Sequence, residues 1–387
     1  MRSTNQVAGL TALVAFLSQG CGSSLVVTED TDTEVFQDGG IRGLDAIDAS
    51  DGREIPLVCG NSGECDDGDP CTKDFCRMGL CEFTGKEINL QPVIVPTAAP
   101  ALDVALAPGF IYVAEGEGMV EIFDISNIAL PVFAENLATA GEALAIDARG
   151  MGFAVAEGEA GVQTFSSPSD NVAADFQPNI DEVIDVGIGP RYAILSAFAD
   201  GIYIADATSL ETPSGLGELN TIGRALAAES DNDTCGFVAD ALGGALSIVF
   251  RSEEDGTPAI VGKILSEGRV TDVAVAGDTA LMAEYGVGFS VVDLSDPYNP
   301  ERLSRVLTAS DSTLVSLLGS QTGVVAEKSG QVTVYDLRDP FAPVVLSFWR
   351  AKSEPLKMDT NAGLIAVALG EQGVAVMTTG CEEQDSL

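Results

Sequence analysis

The 387-residue sequence contains no histidine, the side chain most often used for proton transfer near neutral pH. Ser/His/Asp and Cys/His catalytic sets and imidazole metal ligands are therefore excluded. An enzyme built from this chain would have to use carboxylates, Tyr, Lys or a metal held by oxygen ligands. Since no recognisable catalytic set remains, we expect a protein that is not an enzyme.

Basic residues are scarce, with 19 Lys and Arg against 59 Asp and Glu and a net charge of −40. This balance excludes nucleic acid as a partner and disfavours anionic lipid headgroups, leaving basic ligands or divalent cations. Solubility, or adaptation to salty surroundings, explains the acidity better than selection for a ligand does. The single Trp and few Tyr residues offer no aromatic platform for sugars. Tyr285 is the one aromatic residue that we single out as a candidate contact.

Helical periodicity is missing over any long window, whereas short β-branched and aromatic runs such as FIYVAE, FSVVDL and VTVYDL recur between turn residues. A pattern with several strand signals returns about every 42 residues, which is typical of a β-propeller. Its seven copies begin at Leu102, Ala145, Ile184, Leu226, Thr271, Leu314 and Met358. The sequence thus predicts an all-β, seven-bladed β-propeller.

The ends of the repeat region predict how the ring closes. The seventh copy stops after its third strand, in residues 373–379, whereas LQPVIVP in residues 90–96 resembles the outer-strand segments of other copies. A ring of blades must hide its edges. We therefore predict that segment 90–96 supplies the outer strand of the last blade, so that N- and C-terminal strands pair.

The chain before the repeats divides into three segments. Residues 1–20 resemble a bacterial lipoprotein signal peptide, which implies lipidation of Cys21; ordinary cleavage that leaves Cys21 as a thiol or half-cystine is the alternative. Residues 21–56 are acidic and poor in apolar runs, which predicts a disordered tether, with a docking peptide as the alternative. Residues 57–85 form a cysteine-rich module, residues 86–380 the propeller, and residues 381–387 a C-terminal tail.

Five cysteines within the module, Cys59, Cys65, Cys71, Cys76 and Cys81, predict disulfide bonds, because so short a segment lacks a core of its own. Their spacing is not that of structural zinc sites. An odd number needs an outside partner, and Cys59 with Cys381 is the expected pair. Cys235 is expected to be a buried free thiol. The run from Cys65 to Cys76 resembles a small repeat with the core C-D-D-G-x-P-C-T-x-D-x-C, which implies surface localisation.

Acidic residues recur at two positions of the repeat. The second strand carries Glu115, Glu157, Asp240, Glu284 and Glu327, a candidate ring for a hard cation such as Ca²⁺ if these side chains point toward the channel. Alternatively, each carboxylate accepts hydrogen bonds from backbone N–H groups of the following turn. The first strand carries Asp103, Asp147, Asp185, Asp272 and Asp359, for which we expect a role in tying adjacent blades together.

The motifs of the fifth and sixth copies, including GFSVVD from Gly288, SDP from Ser295 and YDL from Tyr335, resemble the LVIVD repeat. This resemblance implies a propeller of the kind found in secreted and surface proteins, without catalytic residues. We expect an exported, lipid-anchored protein of the outer membrane or cell surface that binds a protein or cell-envelope polymer and touches the membrane only through its anchor. The alternative is a hydrolase or lyase that uses a divalent cation in the acidic ring.

Overall fold

The computed structural model describes residues 46–47, 54–55, 59–60, 62, 65, 72–85, 88–169, 174–178, 181–221, 223–230, 235–251 and 257–380. This part of the chain is all-β and contains no helix long and apolar enough to cross a membrane. The predicted signal peptide, Cys21, most of the tether, Cys71, Cys381 and the tail lie outside the described residues.

Two small hairpins precede the propeller. Strands β1 (Ala46–Ile47) and β2 (Glu54–Ile55) pair, as do β3 (Thr72–Arg77) and β4 (Leu80–Gly85). Disulfide bonds join Cys59 to Cys76 and Cys65 to Cys81, which confirms four of the predicted half-cystines. The expected pairing of Cys59 with Cys381 is wrong, because Cys59 already has a partner 17 residues away within the module. The side chain of Cys235 lies outside the described part.

Seven four-stranded antiparallel sheets follow, which confirms the predicted propeller. Blade 1 contains β6 (Ala101–Ala107), β7 (Phe110–Glu115), β8 (Met119–Asp124) and β9 (Val132–Ala138); blade 2 contains β10 (Ala145–Arg149), β11 (Gly152–Ala156), β12 (Val162–Phe165) and β13 (Ala174–Phe176). Blade 3 contains β14 (Asp185–Ile188), β15 (Tyr192–Ser196), β16 (Ile202–Asp206) and β17 (Ser214–Leu219); blade 4 contains β18 (Ala225–Glu229), β19 (Cys235–Asp240), β20 (Ala245–Arg251) and β21 (Pro258–Leu265).

Blade 5 contains β22 (Arg269–Ala276), β23 (Thr279–Tyr285), β24 (Gly288–Asp293) and β25 (Glu301–Val306); blade 6 contains β26 (Ser312–Leu318), β27 (Thr322–Glu327), β28 (Gln331–Asp336) and β29 (Val344–Arg350). Blade 7 contains β30 (Lys357–Asn361), β31 (Leu364–Ala368), β32 (Val374–Thr378) and β5 (Val93–Val95). The first strand of each blade contacts the first strands of its neighbours, and β30 contacts β6, so these strands line the axis of a closed ring.

The core lies between the blades rather than at the axis. Buried apolar residues form seven clusters in the described chain, one at each junction between neighbouring blades. At the junction of blades 1 and 2, Tyr112 and Phe165 pack against Phe153 with ring centroids 4.4 and 4.6 Å away. Each blade therefore stabilises its neighbours by burying one face against them.

The closing strand lies where the sequence predicts it. Strand β5 pairs antiparallel with β32, with Val95 opposite Val374 and Val93 opposite Val376. Ile88 and Leu90, just before it, are buried in the cluster between blades 6 and 7. The outer strand of the last blade thus comes from the N-terminal side of the propeller.

A repeated turn explains why the third strand so often ends in Asp. The carboxylates of Asp124, Asp206, Asp293 and Asp336 each accept a hydrogen bond from the backbone N–H two residues later, at 2.8 to 3.0 Å. Asp side chains favour this local turn, which reverses the chain between the third and outer strands.

Candidate functional site

A cavity of about 230 Å³ lies on the propeller axis and is lined by side chains of the first strands. Its charged lining residues are Asp103, Asp147, Asp185, Glu229, Asp272, Asp359 and Lys357. The cavity therefore brings together the five first-strand acids that the sequence singles out, one further carboxylate and one ammonium group.

Strand register sorts these residues into two rings. Ala114, Ser196, Ala283 and Ala368 occupy equivalent positions on the second strands, and they pair with Asp103, Asp185, Asp272 and Lys357, the first ring. Asp147, Glu229 and Asp359 lie two residues beyond the equivalent positions of their own blades and form the second ring. Because side chains of a strand alternate between faces, residues two apart both point to the axis. Neighbouring acidic blades thus carry their carboxylates at alternating heights.

Five of these carboxylates join neighbouring blades, as predicted. Each accepts a hydrogen bond from a backbone N–H of the next first strand: Ile146 to Asp103 at 2.9 Å, Ile188 to Asp147 at 2.6 Å, Ala228 to Asp185 at 2.9 Å, Val315 to Asp272 at 2.9 Å and Leu106 to Asp359 at 2.7 Å. Edge N–H groups of the first strands, which have no sheet partner, are satisfied in this way.

Lys357 supplies the cation of the first ring. Its ammonium forms an ion pair with Asp185, which lies on the other side of the ring in blade 3. Burial alone would lower the pKa of Lys357, but the charges of Asp185, Asp103 and Asp272 more than offset it and raise this pKa above its ordinary value. Lys357 is therefore a fixed positive charge on the axis.

Five of the channel acids hold protons more tightly than ordinary carboxyl groups. Burial is the main cause that raises the pKa of Asp103, Asp147, Asp272 and Asp359 from 3.8 to about 7. Burial also raises the pKa of Glu229 well above its ordinary value, and the charges of Asp147, Asp359, Asp272 and Asp185 add to the effect. The group is therefore poised between its charged and neutral forms near neutral pH.

The candidate cation ring of second-strand acids is placed elsewhere. None of its members lines the described cavity. Four of them accept a hydrogen bond from a backbone N–H in the loop that enters their own blade: Ala99 to Glu115 at 3.1 Å, Gly141 to Glu157 at 3.1 Å, Gly223 to Asp240 at 3.0 Å and Ser310 to Glu327 at 2.7 Å. The alternative prediction, that these carboxylates accept backbone N–H groups, is therefore correct for the four residues. The donors, however, lie in the loop before each blade and not in the turn after the second strand. Binding of Ca²⁺ by these residues stays a prediction.

Glu284, the fifth member, is held by two guanidinium groups. Arg302 Nη2 lies 2.9 Å from Oε1 and Arg305 Nε lies 3.0 Å from Oε2, while the Ser290 hydroxyl donates to Oε1 at 3.0 Å. Glu284 is fully buried, and the two arginines are about one quarter exposed. A metal ion at Glu284 would have to displace both cations.

The loops between blades and the turns between second and third strands lie at one end of the propeller, here called the loop face. On it, Tyr285 is flanked by two cations. The guanidinium of Arg269 lies 4.3 Å from the ring centroid, and Lys328 Nζ lies 5.5 Å from it and 3.4 Å from the phenol oxygen. Arg224 stacks over Phe198 in the same manner, at 4.5 Å. Blades 3 to 6 thus present aromatic and basic groups together.

The opposite half of the loop face is acidic. Its exposed charged residues, on the turns and loops of blades 1 to 3, are Glu117, Glu142, Glu159, Asp181, Glu182 and Asp200. The loop face therefore carries a charge gradient, although its basic half also contains the exposed acids Glu267 and Glu354, near Arg269 and Lys328. Such a gradient orients a charged partner before contact.

Two channel residues, Glu229 and Lys357, do not emerge from the sequence pattern. Lys357 lies two residues before Asp359 on the same strand, and this spacing alone would place both on one face. Glu229 belongs to the fourth copy, the most degenerate one, where it stands two residues beyond the Ala227 position that corresponds to Asp103. Counting twelve residues back from Leu369, which stands at the second-strand acid position of the seventh copy, reaches Lys357, just as counting back from Glu115 reaches Asp103.

Comparison with known proteins gives a family model and a fold. The model described as LVIVD repeat matches residues 99–139 and 267–308, which lie in and around blades 1 and 5. A search of curated proteins returns no match.

Solved structures similar to this chain include "Structure of U3-55K" (TM-score 0.61, covering 76% of this chain and 98% of that one) and "Crystal structure of RRP9 WD40 repeats" (0.62, 76% and 97%). A third is the computationally designed Ika8 protein (0.55, 74% and 98%). All three are 10% identical to this chain, so they show the fold alone. The chain is thus a seven-bladed β-propeller that carries two LVIVD repeats.

Proposed function

We propose that this protein is an exported, lipid-anchored scaffold of the cell surface whose propeller binds a protein or a cell-envelope polymer through its loop face. The observation that carries the proposal is Tyr285 between Arg269 and Lys328. Tyr and Arg are the residue types that most often dominate binding energy at protein interfaces. A closed propeller with LVIVD repeats fits a protein-binding scaffold.

The loop face favours a partner with acidic groups near blades 5 and 6. Tyr285 is half-buried, so its ring is fixed in place, whereas Arg269 and Lys328 are exposed and their charges can reach a partner. The acidic loops of blades 1 to 3 would repel the same partner if it docked the other way round. Charge thus supports one docking orientation.

Export is supported by the disulfides of the module. Two disulfide bonds within residues 59–81 persist in oxidising compartments and are rare in reducing ones. Together with the lipoprotein-like start, they favour a module outside the cytoplasm. The hydrolase or lyase alternative needs the second-strand acids to converge on a cavity, and none of them lines the described one.

Radioactive palmitate labelling tests the anchor. We expect the wild-type chain to incorporate palmitate and to be degraded by protease added to intact cells. Cys21→Ser should abolish labelling and release the protein into the soluble fraction, whereas Cys235→Ser should change neither. Labelling of the Cys21→Ser variant, or complete protection of the wild type from protease, would disprove the anchored surface location.

Binding of the purified mature chain to intact cells that lack it tests the loop face. The double variant Tyr285→Ala/Arg269→Ala should bind at least about tenfold more weakly, since each hot-spot residue contributes more than about 1 kcal/mol. Phe341→Ala is the matched control, because Phe341 is 68% exposed on a turn at the other end of blade 6. Equal binding by all three proteins would rule out the loop face as the docking surface.

A further inference from the structure

We propose that the outer wall of blades 6, 7 and 1 is an interface through which two copies of this chain pair about a twofold axis. The interface, here called the apolar wall, consists of exposed side chains on the outer strands β29, β5 and β9: Val344, Val345, Phe348, Ile94, Val132 and Phe133. This surface lies on the side of the propeller and goes beyond the function proposed for the loop face.

Strand register shows that the apolar wall differs from the rest of the ring. Phe348 and Ile94 occupy the same position of their blades, opposite Thr333 and Ala375 on the third strands. The other five blades carry a polar or charged side chain at this position: Asn136, Asp175, Glu218, Lys263 and Arg305. The fold therefore does not require an apolar side chain there, and blades 6 and 7 have one for another reason.

The first two residues of the outer strand show the same contrast. In blade 6 they are Val344 and Val345, and in blade 1 they are Val132 and Phe133. Charged residues stand at these positions in blade 5, and serine and glycine stand there in blade 3: Glu301, Arg302, Ser214 and Gly215. The apolar residues are thus confined to one side of the propeller.

The apolar wall is continuous because blade 7 lies between blades 6 and 1. Ile94 pairs with Ala375, which belongs to the cluster between blades 6 and 7, and Leu346 of β29 packs against the same cluster. On the other side of blade 7, Phe133 contacts Phe123 edge-on with ring centroids 6.0 Å apart, and Phe123 belongs to the cluster between blades 7 and 1. The exposed side chains therefore border two neighbouring junctions.

The area of the apolar wall is large enough for a dimer. Its six side chains are 48 to 62% exposed. Together they present on the order of 600 Å² of apolar surface, which is the upper end for the largest patch of a typical monomer. Two copies that meet on these side chains alone would bury about 1,200 Å², the lower end of stable, specific interfaces. The backbone edges of β29 and β5 add to this area.

The edges of the apolar wall also lack the usual protection against pairing. Charged residues on an outer strand discourage pairing with another sheet edge. The outer strands of blades 1 to 5 all contain such residues: Glu135, Asp175, Glu218, Lys263 and Arg302. Strand β29, in contrast, has no charged residue before Arg350 at its end, and β5 has none. These two edges are therefore open to another chain.

Charge favours a second copy as the occupant. The three outer strands of the apolar wall carry one acid and one base, Glu135 and Arg350, so their charges cancel, whereas the whole chain has a net charge of −40. Two copies therefore repel one another over most of their surface and least at the apolar wall. A basic partner, in contrast, would gain more by docking on the acidic parts of the molecule.

Sedimentation equilibrium of the purified mature chain tests the proposal. We expect a reversible equilibrium between monomer and dimer at micromolar concentrations. Because the two copies carry like charges, salt screens their repulsion, and the dimer should be stronger in about 0.5 M NaCl than in about 0.05 M NaCl. A complex held together by opposite charges would respond to salt in the reverse direction.

Two variants remove the interface by residues that other blades already carry. Val344→Glu introduces the counterpart of Glu301, and Phe348→Asn introduces the counterpart of Asn136 without a change of charge. Each should weaken the dimer at least tenfold while the circular dichroism spectrum stays that of the wild type. Ala259→Glu is the matched control, because Ala259 is exposed at the Val344 position of blade 4 and gains the same charge.

The control should change the dimerisation constant by less than about threefold, which lies within the effect of an ordinary surface substitution. A wild-type chain that stays monomeric up to the highest soluble concentration in both salt conditions would overturn the proposal and assign the apolar wall to a different partner. A dimer that neither variant weakens, that Ala259→Glu weakens equally, or that weakens as salt is added would also overturn it.

Discussion

At the scale of single residues, Glu284 differs from the other second-strand acids in its partners. The other four accept backbone N–H groups, whereas Glu284 is enclosed by Arg302, Arg305 and Ser290. Ser290 pairs with Arg305 across neighbouring strands, and its small side chain leaves room for the guanidinium to reach over β24. The ion pairs of Glu284 on β23 with Arg302 and Arg305 on β25 thus reach across β24, so three strands of blade 5 contribute to them.

Removing the charge of Glu284 should destabilise blade 5. In Glu284→Gln, two partly buried guanidinium groups lose their counter-charge, and breaking such a pair from one side costs about 3 kcal/mol. We expect a corresponding drop in the free energy of unfolding, measured by guanidinium chloride denaturation. Glu354→Gln, at an exposed acid that forms no ion pair within the described part of the chain, should change it by less than about 0.5 kcal/mol. Equal stability of both variants would show that the Arg pairs contribute nothing.

The sequence predicts the recurrence of Glu284 but not its partners. Repetition reveals that a carboxylate belongs at this position, because the blade is repeated. The partners depend on which side chains lie on the neighbouring strands. The position of Ser290 on the third strand, for example, holds Glu121 in blade 1 and Gln163 in blade 2. Glu121 and Gln163 themselves accept loop N–H groups from Ala98 and Ala140. Such local differences cannot be predicted from the sequence without knowing which residues of neighbouring strands pair.

At the scale of elements, β5 is the strand that closes the ring. Its two faces are unequal: Val95 is 3% exposed and packs in the cluster between blades 7 and 1, whereas Ile94 is 48% exposed. Val95 also pairs with Val374 at the start of β32. Val95 therefore contributes most of the apolar surface that β5 buries between blades 7 and 1.

A matched pair of truncations tests this division. Val95→Ala should lower the free energy of unfolding by about 1–3 kcal/mol, because it removes two buried methyl groups and leaves a cavity between blades 7 and 1. Ile94→Ala removes more atoms from the same strand but should cost less than about 1 kcal/mol, since that side chain is half in solvent. Urea denaturation of both variants measures the difference. A larger loss for Ile94→Ala would contradict the closure register.

Closure and blade number are predictable because both follow from periodicity. The missing outer strand of the seventh copy and the spare strand before the first are visible in the sequence. The stagger of the channel acids is not, because motif alignment places Asp147 with Asp103, whereas pairing places it two residues further along. Irregularities of pairing just before Asp103, Ala227, Asp272 and Leu314 change the count along the first strands. The offset of Asp147 has a different origin: it lies two residues before Arg149, the last paired residue of its strand, whereas Asp103 lies four residues before Ala107.

At the scale of the whole molecule, several acidic groups lie together in the axial cavity, where burial makes a negative charge unfavourable. Six carboxyl groups share one cavity with a single ammonium, in a chain whose net charge is −40. Hydrogen bonds from neighbouring first strands offset part of the cost for five of them. The remainder appears as the raised pKa values of Asp103, Asp147, Asp272 and Asp359. The channel acids thus tie neighbouring blades together at the cost of burying carboxyl groups that would otherwise be charged.

This arrangement predicts that the propeller is more stable in mild acid than in mild base. In the folded state the pKa of Asp103, Asp147, Asp272 and Asp359 is about 7, whereas in the unfolded chain it returns to the ordinary value of 3.8. Between these values the folded state binds more protons than the unfolded state, so stability falls as the pH rises from about 4 to 7. We expect a melting temperature several degrees higher at pH 5 than at pH 8.

Surface repulsion in so acidic a protein acts in the same direction, so a variant must separate the two causes. Asp359→Asn removes one channel carboxyl and should reduce the difference in melting temperature between pH 5 and pH 8, even though it also loses one of two backbone hydrogen bonds at every pH. Glu117→Gln, at an exposed acid of the loop face, removes the same charge and should leave the difference nearly unchanged. If both variants change the difference in melting temperature equally, surface repulsion causes the pH dependence. If the wild type melts at a higher temperature at pH 8 than at pH 5, the channel acids are ionised in the folded state at mildly acidic pH.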